Sequence, residues 1–212
     1  GETEAWTTDP CHGVSFFAGT PVDGLGVAPA LAAVMRLGAR AVRRWRLSPM
    51  ARLSPSERQY YQRLYAAQGP KDILMESGRK QALGLPLTQL RLPDGIDPLV
   101  AELKREALAG AVTESALVPT VLPLQIIVLG QLALVCCPGE FTTTAGRRLI
   151  DTVAKRLAPR GIEQVLICTY CNDYMGYVTT NEEYQEQAYE GGHTVFGQWT
   201  LAAFQTRFAL LA

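Results

Sequence analysis

Leu124-Gln125-Ile126-Ile127-Val128-Leu129-Gly130-Gln131-Leu132-Ala133-Leu134-Val135-Cys136-Cys137 decides the fold class of this chain. The stretch is apolar almost throughout, with Gly130-Gln131 in its middle. That pattern predicts two strands, Leu124–Leu129 and Leu132–Cys137, turned back on each other. An unbroken apolar run, in place of a two-residue alternation, predicts burial on both faces and layers above and below the sheet. Pro138-Gly139 stops the second strand. Glu140 is therefore delivered at the end of a buried strand, where loops gather reactive groups.

Downstream, the hydroxyls of Thr142–Thr144 offer helix N-caps, and Leu149, Ile150, Val153 and Leu157 follow at helical spacing up to Pro159 and Gly161. Glu140 sits just outside that helix N-terminus, where the backbone N–H groups favour an ionised carboxylate by about 0.3–1 kcal/mol. A carboxylate kept charged in a partly buried place suits a metal ligand; equally, it can simply cap the helix. Ile162–Thr169 predicts a further strand ending in the turn-prone Tyr170-Cys171-Asn172-Asp173. Tyr174 to Thr180 predicts a short extended piece, with a helix starting near Thr180 and carrying Glu182 and Glu183 in its first turn. Tyr174 and Tyr177, three apart in an extended segment, face opposite sides, so only one can point into a site. Packing as sheet aromatics is the commoner fate of such tyrosines.

Two blocks, Pro138-Gly139-Glu140-Phe141-Thr142-Thr143 and Asn172-Asp173-Tyr174-Met175-Gly176-Tyr177-Val178-Thr179-Thr180, are followed by Gln187-Ala188-Tyr189-Glu190-Gly191. In this order they resemble the C-terminal half of the catalytic domain of the neutral/alkaline ceramidases, zinc amidases that cut the amide of ceramide. Ser15-Phe16-Phe17-Ala18-Gly19-Thr20-Pro21-Val22-Asp23-Gly24 resembles a further block of the same family. The resemblance is closest over residues 1–26 and 117–212, and the helices and loops of 27–116 are variable. It implies a layered α/β domain with mixed β-sheets flanked by helices, as a portion of a larger two-sheet catalytic domain. It also implies a Zn2+ site in which Glu140 and Tyr177 are metal ligands and Tyr189 stabilises the oxyanion. The chemistry is coherent: zinc takes N and O ligands and lowers the pKa of bound water to about 7, and a phenol can donate to the developing oxyanion.

The departure from the family is in the histidines. The chain has two, His12 and His193, neither with metal-ligand spacing and neither where the family has its zinc histidines. His193 reads as a surface or outer-layer group and His12 as non-catalytic. The family's Gly-Asp-Val-Ser-Pro-Asn block is also missing. The expected partners are therefore ceramide or a related N-acyl lipid and a missing N-terminal half that carries the zinc histidines, this chain alone being inactive. The alternative is a ceramidase-like binding or structural module that has lost catalysis. The family implies a secreted, cell-surface or periplasmic location.

The remaining composition excludes more than it assigns. With 20 basic and 20 acidic residues in 212, bulk electrostatics recruits no nucleic acid. No apolar run reaches the roughly 18 residues of a membrane span, and no signal peptide is present; the polar opening reads as internal. A helix starting near Pro29 carries Arg36, Arg40, Arg43, Arg44 and Arg46, with Arg52 just beyond it and Ala32, Met35, Leu37, Ala41 and Val42 as its apolar side. Such a helix can make peripheral contact with an anionic membrane, although a solvated basic face is the commoner meaning. Cys168-Thr169-Tyr170-Cys171 has CxxC form, which would suit a thiol oxidoreductase, but it closes a strand rather than opening a helix, and buried free thiols are the better reading. Adjacent Cys136 and Cys137 point to opposite faces of their strand. The family resemblance allows a disulfide at Cys11, for which no partner is obvious. Helices are further predicted over Ser54–Ala67, Pro98–Ala109 and Gly197–Ala212, the last with a core stripe of Leu201, Phe204, Phe208 and Leu211.

Overall fold

In the computed structural model, which describes residues 6–20, 24–89, 102, 105–106, 109–110 and 116–212, the strands form as the sequence predicts. β7 (Gln125–Leu129) and β8 (Leu132–Cys136) are an antiparallel hairpin, and Gly130 takes a left-handed φ of 61° at its turn. β10 (Gln164–Cys168) adds to β8 in parallel, giving a mixed sheet of order β10-β8-β7. The parallel step needs a crossover, which is helix α4 (Thr143–Leu157). Thr142 caps that helix, its side chain accepting from the Ala145 N–H, so the cap is not Glu140.

One face of this sheet is covered. Ala133, Val135 and Val165 pack with Leu149, Val153 and Leu157 of α4 and with Leu201, Phe204 and Phe208 of α7 (Thr200–Leu211). Among the described residues nothing covers the other face. Ile127, Leu134 and Leu166 are register partners and so lie in one row, and Ile127 and Leu166 are 44% and 42% exposed, with Leu129 nearby at 59%. The expectation of burial on both faces is therefore corrected. An apolar run reports two apolar faces, whereas the described helices supply a cover for one. Leu211, expected in the core stripe of α7, is likewise exposed at the end of its helix.

The N-terminal half builds a second sheet, β1 (Cys11–Gly13) with β4 (Ile73–Glu76), β5 (Gln81–Ala82) and β6 (Leu85–Pro86), in the order β1-β4-β5-β6. A two-stranded ribbon, β2 (Gly19–Thr20) with β3 (Gly24–Leu25), follows the short helix α1 (Val14–Ala18). Helix α2 (Pro29–Leu47) buries Ala32, Met35 and Ala39 against this half, but Leu37, expected on the apolar side, is 66% exposed. Its basic row is largely committed: Arg40 pairs with Asp72, Arg43 donates to the Gly69 carbonyl, and Arg46 is buried against Glu76. Helix α3 (Pro55–Gln68) opens with the capping box Ser54/Glu57 that its sequence predicts. The helix expected over Pro98–Ala109 lies almost wholly outside the described residues. Among the described residues no helix is long and apolar enough to cross a membrane.

The two halves meet where a second two-stranded element, β9 (Glu140–Phe141) parallel to β11 (Tyr177–Val178), leads into α5 (Asn181–Glu186) and α6 (Tyr189–Gly192). The junction is tight. A Cβ on Gly192 would lie 2.4 Å from Ser15 Oγ, so α6 rests almost directly on the backbone of α1. The two segments quoted above for their family resemblance, around Ser15 and Tyr189, are in this way brought together.

Candidate functional site

Glu140 leaves β8 after Pro138-Gly139 and is fixed by its backbone, its N–H donating to the Gly176 carbonyl at 2.9 Å. Parallel pairing of β9 with β11 makes Tyr177 the register partner of Glu140, which sets the two predicted ligands side by side. The Tyr177 phenol meets the Glu140 carboxylate; burial first, then that carboxylate, pushes its pKa up, so it is a neutral donor here. Tyr174 Oη donates to Glu140 Oε2 at 3.1 Å, and the Tyr170 ring stacks on that of Tyr174 with centroids 5.8 Å apart. Tyr174 and Tyr177 thus both face the carboxylate, against the expectation that only one could. The reason is Gly176, whose φ of 95° breaks the extended alternation between them.

Tyr189, the predicted oxyanion donor, opens α6 and lies edge-on to Tyr177 with ring centroids 5.8 Å apart. The three residues singled out by sequence therefore share one place. Glu140 and Tyr177 open on a cleft of about 570 Å3 that Glu183, Glu186 and Glu190 also line, so its walls are strongly acidic. Glu183 is already engaged there, accepting from Thr142 Oγ1 at 2.6 Å and from the Thr180 N–H at 2.8 Å.

His193 lies in a second layer behind Tyr177, one of the two places the sequence reading allowed it, and His12 joins it there. His193 is largely buried behind Tyr177, with the two rings 5.8 Å apart and its carbonyl accepting from the Tyr177 N–H at 3.2 Å. It stacks on His12 at 4.9 Å and packs on Phe16 at 4.1 Å. His12, buried, shares a 2.6 Å hydrogen bond with Ser77 Oγ through Nδ1. Burial, aided by the charge of Lys71, lowers the pKa of His193 to about 4, so its ring is neutral at physiological pH. Its Nδ1 finds no hydrogen bond among the described residues. Sequence spacing could not show this stack, because residues 12 and 193 meet only through the packing of β1 and α1 on α6; the one signal was Phe16-Phe17 beside a histidine-bearing strand.

Do these residues fit the zinc that the resemblance implies? Glu140 and Tyr177 present two oxygen donors at one point, as that site requires. Yet among the described residues no group of three or more His, Cys, Asp or Glu is arranged to hold a metal ion. The described residues fit the oxygen side of a zinc site and not a complete one, because zinc ordinarily takes at least three protein ligands.

Comparison with known proteins points the same way as the motifs. A family model described as neutral/alkaline non-lysosomal ceramidase, N-terminal, matches residues 106–206. The chain is 56% identical over 97 residues to neutral ceramidase A of Dictyostelium discoideum, covering 45% of this chain and 13% of that protein. Against the neutral ceramidase of Mycobacterium tuberculosis it is 38% identical over 147 residues, 69% of this chain and 18% of that one. Among solved structures, a ceramidase complexed with C2 superposes on 96% of this chain and 25% of its own, with a TM-score of 0.61 and 30% identity. The neutral ceramidase of Pseudomonas aeruginosa gives a TM-score of 0.53 and 35% identity over 70% of this chain and 18% of its own. The chain thus spans less than a fifth of the length of these curated relatives. The matched family model is that of the N-terminal region of such proteins, so the C-terminal position expected from the motifs can refer only to a place within that region and not to the C-terminal half of the whole proteins.

Proposed function

Because this chain belongs to the neutral/alkaline ceramidase family, we propose that it forms one wall of a zinc-dependent amidase site that hydrolyses the N-acyl amide of ceramide to a fatty acid and sphingosine. The observation that carries this reading is the register of β9 on β11, which sets the Glu140 carboxylate beside the Tyr177 phenol with Tyr189 next to it. Zinc, when bound, supplies a water of pKa about 7 and polarises a carbonyl.

The chain's own residues have separate tasks. Glu140 would hold the metal through an anionic oxygen, oriented by the Tyr174 hydroxyl. Tyr177 would be the second oxygen ligand; its proton is held until a cation compensates the phenolate charge. Tyr189 would donate its phenolic hydrogen to the amide oxygen as negative charge builds there. The nitrogen ligands would come from outside this chain, since its own two histidines stack on each other behind Tyr177. A ceramidase-like module without catalysis is the second reading, and the lack of a three-donor group among the described residues is what favours it.

The test is zinc content and turnover of a short-chain fluorescent ceramide in a longer protein that carries this segment, as wild type, Glu140→Ala and Tyr177→Phe. Glu140→Ala is expected to lose zinc and fall to background, and Tyr177→Phe to lower both. Full zinc and activity in Glu140→Ala would refute the ligand assignment. A wild type that neither binds zinc nor turns over substrate would establish the non-catalytic module.

A further inference from the structure

Four cysteines crowd the strand ends that lead into the site, and nothing in the proposed hydrolysis uses them. β8 and β10 pair Cys136 with Cys168 in register. Partners in adjacent strands lie about 4.8 Å apart and present their side chains to the same face. The ladder then skips a residue. Cys137 N–H donates to the Cys168 carbonyl at 2.9 Å, and the next bond runs from Cys171 N–H to the Cys137 carbonyl, also 2.9 Å, where an unbroken parallel ladder would use Tyr170. Tyr170 is the extra residue, at a φ of 60°, and its N–H goes to the Gly139 carbonyl instead. A one-residue bulge restores the alternation, so Cys171 returns to the face that carries Cys168 and Cys136. Three thiols therefore meet on one face, while Cys137 points into the core with 0% exposure. The CxxC that looked incomplete in the sequence has its third member on the neighbouring strand.

We propose that this cluster is an oxidation site, in which hydrogen peroxide converts Cys171 and Cys136 to a disulfide that ties the bulged loop to the end of β8. Cys171 and Cys168 are half-buried and can be reached by peroxide, whereas Cys136 is 6% exposed. The Cys171 thiol is oxidised to a sulfenic acid with loss of one water. The Cys136 sulfur then attacks that sulfur, the S–S bond forms, the S–O bond breaks, and hydroxide leaves with the Cys136 proton as a second water. Two thiols and one peroxide give one disulfide and two waters. Burial, then the neighbouring Cys171 and Cys168 thiols, raises the Cys136 pKa to about 11, which disfavours Cys136 as the thiol that meets peroxide first. Cys171 is preferred over Cys168 as the partner because Cys168 is fixed in the ladder at the inter-strand spacing of about 4.8 Å, longer than the Cβ–Cβ distance of about 3.8 Å a disulfide needs, whereas Cys171 lies beyond the end of β10 in the bulged loop. The loop so tied, Tyr170 to Tyr174, is the one that brings the Tyr174 hydroxyl to Glu140.

The experiment is peroxide treatment of the intact chain, thiol counting after unfolding, and peptide mass mapping. The expected result is a fall from five thiols to three, a peptide pair joining Cys136 to Cys171, slower hydrogen exchange in the loop, and full reversal by dithiothreitol. Cys168→Ser is expected to keep the disulfide. Cys171→Ser, at a half-exposed position that leaves the core intact, is expected to abolish it, and so is Cys136→Ser. A Cys168–Cys171 disulfide, oxidation of Cys171 without coupling, or five thiols surviving a dose that oxidises free cysteine would each overturn the proposal.

Discussion

Replacing Gly176 by alanine tests the reading of the site through stability alone. At a φ of 95° a new Cβ would lie 2.7 Å from the His193 carbonyl oxygen, which is backbone and cannot swing away. Holding a side-chain-bearing residue in such a conformation costs about 1–3 kcal/mol. Moving the His193 carbonyl also breaks the 3.2 Å bond it accepts from the Tyr177 N–H, a further loss of about 1 kcal/mol. Gly176→Ala is therefore expected to destabilise the chain by about 3 kcal/mol. Gly130 is the control, because it too has a left-handed φ, 61°, but a Cβ there would meet nothing within 4 Å. Gly130→Ala should cost only the conformational part, about 1 kcal/mol. With an m-value of about 3 kcal/mol per molar urea, the midpoints should move down by about 1 M and about 0.3 M respectively. Urea unfolding followed by tryptophan fluorescence reads both. Equal shifts for the two variants would refute the close packing of His193 on Gly176, and with it the geometry that lets Tyr174 and Tyr177 share Glu140.

Two further outcomes concern charges away from the cleft. Arg46 and Glu76 form an ion pair whose side chains are each 4% exposed, with the guanidinium 4.1 Å from the Tyr61 ring centroid; Arg46→Ala should cost about 3–5 kcal/mol and the double change Arg46→Met/Glu76→Leu much less. A single-variant loss below about 1 kcal/mol in urea unfolding would contradict the burial of the pair. Lys71 is fully enclosed, its Nζ donating to the Cys11 and Thr194 carbonyls at 3.1 and 2.7 Å, and burial lowers its pKa to about 7. Above pH 7 the folded chain has released a proton that the unfolded chain keeps, so stability should rise with pH, by about 1–2 kcal/mol up to about pH 8.5. Beyond that, ionising unfolded-state thiols oppose it, since burial raises the folded pKa of Cys11. Unfolding midpoints at pH 7.0 and 8.5 should separate for the wild type and converge for Lys71→Met; a flat wild-type profile would refute the deprotonation.

What the sequence carried was most of what is local. The Gly130 turn, an N-cap from the Thr142–Thr144 cluster and a helix start near Thr180 with Glu182 and Glu183 in its first turn are each written within a few residues, and each forms as read. Glu140, Tyr177 and Tyr189 could be singled out because their flanking motifs are long, and the fold brings the three together. What was hidden depends on one local break in a strand and on contacts between distant segments. The alternation rule separated Tyr174 from Tyr177 because it assumes an unbroken strand, which Gly176 is not. Counting spacings made His12 and His193 look unrelated, though β1 and α6 stack their rings. In the same way the CxxC lacked a partner until the parallel register brought Cys136 to it. The apolar run of β7 and β8 announced two faces to be covered but could not say how many covers this chain provides.

The open face of the mixed sheet has a consequence for how this chain behaves in water. β7 is a sheet edge, and Ile127, Val128 and Leu129, all exposed, run along it. An uncapped strand of that kind offers its free backbone groups to any similar strand it meets, including that of another copy. The encounter is second order in concentration, whereas folding is first order. The isolated chain therefore has a ceiling set by crowding with itself: dilute, it keeps the fold described above; concentrated, its own neighbour becomes the most available cover for Ile127 and Leu129.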